Sequence, residues 1–150
     1  MTGRVLGVDH GDAHTGLAIS DPLGITAQPK GVVEGPDLAG TAARVAELAR
    51  EAGAVEIVVG LPVNMSGREG PRAKLARRFG AAVQELVAVP VRYWDERLTT
   101  VQAERVLRGR GARTRKENTD VISAQFMLQS YLDARSRGSA AADDAEGVEP

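Results

Sequence analysis

Apolar residues fall in short runs over the first third of the chain and recur every three or four positions afterwards, so strands come first and helices alternate with strands later. Val5, Leu6 and Val8 mark a strand from Arg4 to Asp9. Gly11 and Asp12 suit a tight turn into a second strand, Thr15 to Ser20, and a third extended stretch covers Thr26 to Val33. The five residues between the first two strands permit antiparallel pairing only, because a parallel crossover needs about a dozen. Asp37 caps a predicted helix to Ala52 with the stripe Leu38, Ala42, Val45, Leu48, Ala49 and Ala52, and Gly53 stops it.

Val55 to Val59 then reads as a short strand of the kind buried on both faces. A loop rich in Gly, Pro, Asn and Ser follows, from Gly60 to Gly67. The next helix runs from Gly70 to Leu86 and is expected to bury Leu75, Phe79, Val83 and Leu86. Val89 to Trp94 is a fifth strand. Thr99 and Gln102 resemble a capping box for a helix to Arg108, and a last helix from Thr119 to Ala134 buries Val121, Ala124, Leu128 and Tyr131. The predicted order, β-β-β-α-β-α-β-α-α, makes an α/β fold: three antiparallel strands and two parallel ones in a mixed five-stranded sheet, with helices on its faces.

At 150 residues and 43% hydrophobic content, the chain has material for one domain with a core. It is expected to end near residue 137, followed by an acidic, disordered tail over 138–150. The absence of cysteine excludes disulfide scaffolds, zinc ribbons and thiol catalysis. The apolar runs are strand-length and no signal-peptide stretch precedes the first strand, so a cytoplasmic location away from membranes is expected. The net charge of −1 conceals an asymmetry. Positions 1–67 hold four basic and eight acidic residues, whereas positions 68–138 hold fifteen basic and eight acidic. A basic second half suits a polyanionic partner, and equally suits well-solvated helices.

Candidate chemistry lies where elements meet. Asp9 ends the first strand, Glu96 follows the fifth, and Asp120 opens the last helix. Carboxylates distant in sequence but gathered at element ends are what a hard divalent cation requires. Each has an ordinary explanation as well. Asp-X-Gly is a common hairpin turn, charges such as Asp95 and Arg97 usually sit beside a cap, and an Asp in a first helical turn complements the helix dipole.

Taken together, four segments resemble the YqgF/RuvX family: Asp9-X-Gly11-X4-Gly16, Val59-Gly60-Leu61-Pro62-X-Asn64-Met65-Ser66-Gly67, Asp95-Glu96-Arg97-X-Thr99-Thr100 and Lys116-X3-Asp120-X3-Ala124. The resemblance spans about Val5 to Leu132. It implies an RNase H-like fold and a metal-dependent nuclease. The family is described as a Holliday-junction resolvase and as the nuclease implicated in maturing the 5′ end of pre-16S rRNA. Asp9, Glu96 and Asp120 match its three catalytic, metal-holding acids, with Asp95 as an alternative or outer ligand, and two Mg²⁺ or Mn²⁺ ions are implied. Arg97 and Lys116 would offset charge on the phosphate. Arg72, Lys74, Arg77, Arg110, Arg113 and Arg115 would hold the nucleic-acid backbone, with Asn64 and Ser66 in the loop. One departure is visible: where the family often carries a basic pair before the Thr-Gly turn, this chain has Ala13 and His14.

With aromatic content of only 3%, base-stacking platforms are not expected, and recognition should rest on backbone and shape. The residues leave RNA against branched or single-stranded DNA open, and monomer against a homodimer pairing through apolar residues of the last two helices. A non-catalytic nucleic-acid-binding domain is the alternative of a different class.

Overall fold

The alternation of inward and outward side chains builds a sheet with two buried faces. The computed structural model describes residues 3–35, 37–99 and 119–137. Three strands, β1 (Arg4–His10), β2 (His14–Ser20) and β3 (Ala27–Glu34), form an antiparallel meander, and β4 (Ala54–Leu61) and β5 (Val91–Asp95) extend it on the other side. The order is β3-β2-β1-β4-β5, with β1, β4 and β5 parallel. This is the mixed sheet expected from the short first turn. The C-terminal ends of the three parallel strands therefore lie at one end of the sheet, the usual place for a ligand in such folds.

Helices α1 (Leu38–Ala52) and α2 (Pro71–Gln84) cover one face, and α3 (Thr119–Ser136) covers the other. Leu6, Val8, Leu17, Ile57, Val59 and Tyr93 pack with Val45 and Phe79 on the first side. Val5, Ala18, Val58 and Trp94 pack with Met127, Leu128 and Tyr131 on the second. Each fully buried side chain of this kind contributes about 1.5–3 kcal/mol. Asp37 caps α1 by accepting from the Gly40 amide, and Gly53 closes it in the left-handed conformation, both as expected.

Two expectations at α2 are corrected. The helix stops at Gln84, and Leu86 is exposed rather than buried. Its inner face is Ala73, Ala76, Phe79, Gly80 and Val83, with Leu75 only half-buried. The cause is the Gln84 side chain, which donates to the Val89 carbonyl (2.9 Å) and accepts from the Val91 amide (2.9 Å). It ties the helix end into a turn and delays the start of β5 from Val89 to Val91.

The α3 helix has almost no polar face. Val121, Ala124, Leu128 and Tyr131 are buried as expected, and so are Ile122, Phe126, Gln125 and Gln129. The apolar residues of this helix are thus buried. The two glutamines complete the open side of β3: Gln129 accepts from the Ala27 amide (2.8 Å) and Gln125 donates to the Ala27 carbonyl (3.1 Å). Further along, the exposed β3 edge carries Gln28, Pro29 and Lys30, residues that discourage edge-to-edge pairing.

A buried charge cluster clamps the other half of α3. Glu56 of β4 lies between Arg92 of β5 (Nε, 2.6 Å) and Arg135 (Nη1, 2.8 Å), and it accepts the Tyr131 hydroxyl. Of the helix predicted from Thr99 to Arg108 only Thr99 is described, with extended backbone; positions 100–108 and the acidic tail over 138–150 lie outside the described residues. No described helix is long and apolar enough to cross a membrane.

Candidate metal centre

Asp9 is the penultimate residue of β1, and side-chain alternation turns it to the α3 face, opposite His10. Glu96 reaches the same face from a short 3-10 turn, Glu96–Leu98, that follows β5 directly. Asp120 arrives in the first turn of α3. Three glycines allow this convergence. A Cβ on Gly60 of β4 would stand 2.5 Å from Oε2 of Glu96. One on Gly16 of β2 would stand 2.0 Å from the backbone oxygen of Asp120, and one on Gly7 would meet Leu128 at 2.9 Å. The bare backbone at these positions lets α3 and the Glu96 side chain settle directly on the sheet.

The electrostatics follow from that crowding. Burial, then the charge of Glu96 and a hydrogen bond to it, then the charge of Asp120, push the Asp9 carboxyl from 3.8 up to about 8; Arg72 opposes them. The Asp9 carboxyl therefore holds its proton more tightly than a free carboxylic acid and is hydrogen-bonded to Glu96. Burial together with clustered negative charge is the environment that a bound divalent cation would relieve. Among the described residues, no three acidic or imidazole side chains already close on one ion-sized point. Asp9 and Glu96 are the pair in contact, and the Asp120 carboxylate, near enough for its charge to act on Asp9, lies 4.0 Å from Nδ1 of His14. A pair of carboxylates with water and substrate phosphate suffices for Mg²⁺, so the donor set fits such an ion.

Asp95 is engaged elsewhere. It caps the 3-10 turn through the Arg97 amide (2.9 Å) and takes the Arg97 side chain at Nη2 (2.7 Å) and Nε. Burial works to raise the Asp95 carboxyl, but the hydrogen bonds and charge of Arg97 together outweigh it and bring the group below the usual carboxylate range. Asp95 therefore orients Arg97 toward the Gly67 turn, and Arg97 does not pair with Glu96.

The expected nucleic-acid contacts divide. Arg72 and Lys74 are exposed in the first turns of α2, and Arg72 reaches Asp12 across the β1–β2 turn (3.5 Å). Asn64 and Ser66 are exposed in the loop after β4. Arg77 is committed to structure: it grips Glu69 through two 2.7 Å contacts and lies over the Tyr93 ring at 5.0 Å. Lys116, Arg110, Arg113 and Arg115 lie outside the described residues.

Sequence reasoning missed two partners of this site. The link from Asp12 to Arg72 joins positions sixty apart, and no local spacing announces it. His10 stacks on Phe79 (ring centroids 4.3 Å apart) and meets the Thr15 hydroxyl at 3.1 Å, a packing role that fastens the end of β1 to α2.

The fold and most of the chain have counterparts among known proteins. The model of the RuvX family, described as Holliday junction resolvase, matches residues 3–134. A protein of Pelotomaculum thermopropionicum named "Putative pre-16S rRNA nuclease" is 44% identical over 138 residues, 89% of each chain. One of Moorella thermoacetica with the same name is 45% identical over 132 residues, covering 87% of this chain and 94% of its own. In three dimensions, T. thermophilus RuvC, solved in complex with a Holliday junction substrate, superposes with a TM-score of 0.68 at 18% identity, covering 91% of this chain and 97% of that one. That likeness establishes the RuvC-like, RNase H-like architecture of the sheet and its helices. The match along 132 residues and the identity to full-length relatives carry the family itself: the chain belongs to the RuvX family.

Proposed function

We propose that this protein hydrolyses phosphodiester bonds at the 5′ end of pre-16S rRNA during ribosome biogenesis, at a divalent-metal site formed by Asp9, Glu96 and Asp120. As a RuvX member with relatives named as nucleases it is a hydrolytic nuclease. The observation that carries the site is the gathering of Asp9, Glu96 and Asp120 at the carboxyl end of the parallel strands, with Asp9 hydrogen-bonded to Glu96 and its carboxyl pushed up by burial and by both neighbouring acids. A non-catalytic binding domain has no use for an acid cluster that opposes its own folding.

Asp9 and Glu96 would hold Mg²⁺ or Mn²⁺, two ions in all, through carboxylate oxygens, and Asp120 would complete the set. When bound, the ions supply Lewis-acid activation of water and neutralise charge developing at phosphorus. The chain's own part begins with Asp9, which must release its proton before it can bind a cation, so metal affinity rises with pH. Asp95 holds Arg97 rigid at the mouth, where its guanidinium can meet a phosphate oxygen. Arg72 and Lys74 extend this positive rim along α2 and bind the strand through its phosphates, which makes affinity fall as salt rises. Action on a ribosomal precursor places the protein in the cytoplasm.

RNA takes precedence over branched DNA because the rRNA name belongs to relatives above 40% identity, whereas the likeness to RuvC at 18% concerns the fold. The family description keeps junction resolution as the second reading. Wild type and Asp9→Asn should be compared on a labelled pre-16S transcript, single-stranded DNA and a four-way junction, each with Mg²⁺ and with Mn²⁺. The expected result is fastest cleavage of the transcript and its loss in the variant. Equal rates for the two proteins would end the metal-site assignment, and preferred cleavage of the junction would end the rRNA assignment.

A further inference from the structure

We propose that Met65 is a specificity-determining wedge that enters between two adjacent bases beside the scissile phosphate. The idea rests on the nuclease reading above and adds to it how the substrate is selected. Met65 is 92% exposed, against 62% for Leu23, the next most exposed large apolar residue among the described residues. Single exposed apolar residues are ordinary on protein surfaces. Three features set this one apart.

The first is its mounting. The Gly67 amide donates to the Asn64 carbonyl (2.8 Å), so Met65 and Ser66 are the two corners of a tight turn. The Asn64 amide donates to the Arg68 carbonyl (2.8 Å), which closes the loop at its base, and Gly67 adopts a left-handed φ of 89°. The side chain is thus carried outward on a pinned turn. The second is its place. The loop leaves β4 one residue beyond Gly60, whose backbone supports Glu96, and Gly67 lies beside Arg97. Asn64 faces Gly70 at the start of α2, where Arg72 and Lys74 follow. An apolar tip rimmed by these cations meets a polyanion, and the apolar part of a polyanionic nucleic acid is the face of its bases.

The third is the burial of every aromatic ring. All five aromatic residues, Phe79, Tyr93, Trp94, Phe126 and Tyr131, are buried. None of them can stack on a base at the surface. Apolar side chains inserted between base steps, methionine included, unstack them and bend the strand. A step that is already unpaired or weakly stacked opens more readily, so the wedge would favour such positions over continuous duplex. This is a selection by deformability and not by base identity.

The test uses RNA with 2-aminopurine flanking the cleaved bond, bound in Ca²⁺ so that the strand stays intact. Wild type and Met65→Leu should raise 2-aminopurine fluorescence, and Met65→Ala should not. In Mg²⁺ or Mn²⁺, Met65→Ala should lower kcat/KM by roughly tenfold on a stacked or paired step, the size of one lost apolar contact. Replacing one flanking base by an abasic site should remove that difference. Leu23→Ala, at the far end of the sheet, should behave as wild type in every assay. If wild type binds and cleaves while Met65→Ala matches it in both fluorescence and rate, the wedge is refuted and the nuclease reading stands. If wild type neither binds nor cleaves any nucleic acid, both fall together.

Discussion

Replacing Asp9 by Asn should make the metal-free protein more stable while removing its response to metal. Asn keeps the shape and the hydrogen-bonding capacity of the protonated acid and cannot ionise. In the folded wild type the Asp9 carboxyl is pushed from 3.8 up to about 8 by burial and by its acidic neighbours. Across that interval the unfolded chain carries an ionised Asp9 and the folded chain a protonated one. The native state therefore binds the extra proton, and stability falls as pH rises through the window, levelling off above about 8. At 1.36 kcal/mol per pH unit, the wild-type fold at pH 7 is disfavoured by about 4 kcal/mol relative to a neutral isostere, and at pH 5 by under about 2 kcal/mol. For a domain of this size the pH 7 difference corresponds to a Tm about 10 °C higher in Asp9→Asn. Thermal unfolding of both proteins, in EDTA, should be followed between pH 4 and 8.5. The gap should be near zero at the acid end and widest near pH 8. Mn²⁺ should raise the Tm of wild type and leave that of the variant unchanged. A gap that is absent, or that does not shrink on acidification, would refute the account of the acid cluster.

Three further outcomes follow from the geometry. Gly16→Ala sets a Cβ 2.0 Å from a backbone oxygen of α3, an atom that cannot swing aside, so it should cost roughly 3 kcal/mol in urea unfolding and abolish metal-dependent stabilisation by displacing Asp120. Glu56→Ala leaves Arg92 and Arg135 without their shared carboxylate in a buried setting and should cost about 3–5 kcal/mol, visible as a large fall in the urea midpoint. Lys74→Ala should reduce the salt slope of RNA binding by about 1 with an unchanged Tm. Arg77→Ala should do the reverse, lowering Tm through the lost Glu69 and Tyr93 contacts with the slope preserved.

The strands and helices were legible because their signals are local. A five-residue turn forces antiparallel pairing, and Asp37 and Gly53 bracket α1 with side-chain and backbone chemistry that acts over a few residues. Errors arose where a long-range contact overrode the local pattern. Leu86 fits the helical period, but the Gln84 side chain anchors Val89 and Val91 and ends the helix first. Within the candidate site, the three acids could be picked out as residues at element ends. Their spacing does not reveal that Asp9 and Glu96 touch while Asp120 faces His14, because that depends on rotamers and on how closely α3 descends onto Gly16. Arginines were the least legible. Arg77 and Arg72 sit five residues apart on one helix, yet one is packed against a ring and a carboxylate and the other leans across to a different hairpin.

The charges around Glu56 act as a locating pin for α3, fixing its position along the sheet at Tyr131 and Arg135, some eleven residues and about 16 Å from Asp120. Between pin and Asp120 the helix rests on the bare backbone of Gly7 and Gly16, so a small slide at the pin is passed along the axis to the acid. Substitutions at Arg92 or Arg135, remote from every candidate ligand, should then alter how Asp120 meets the other two acids.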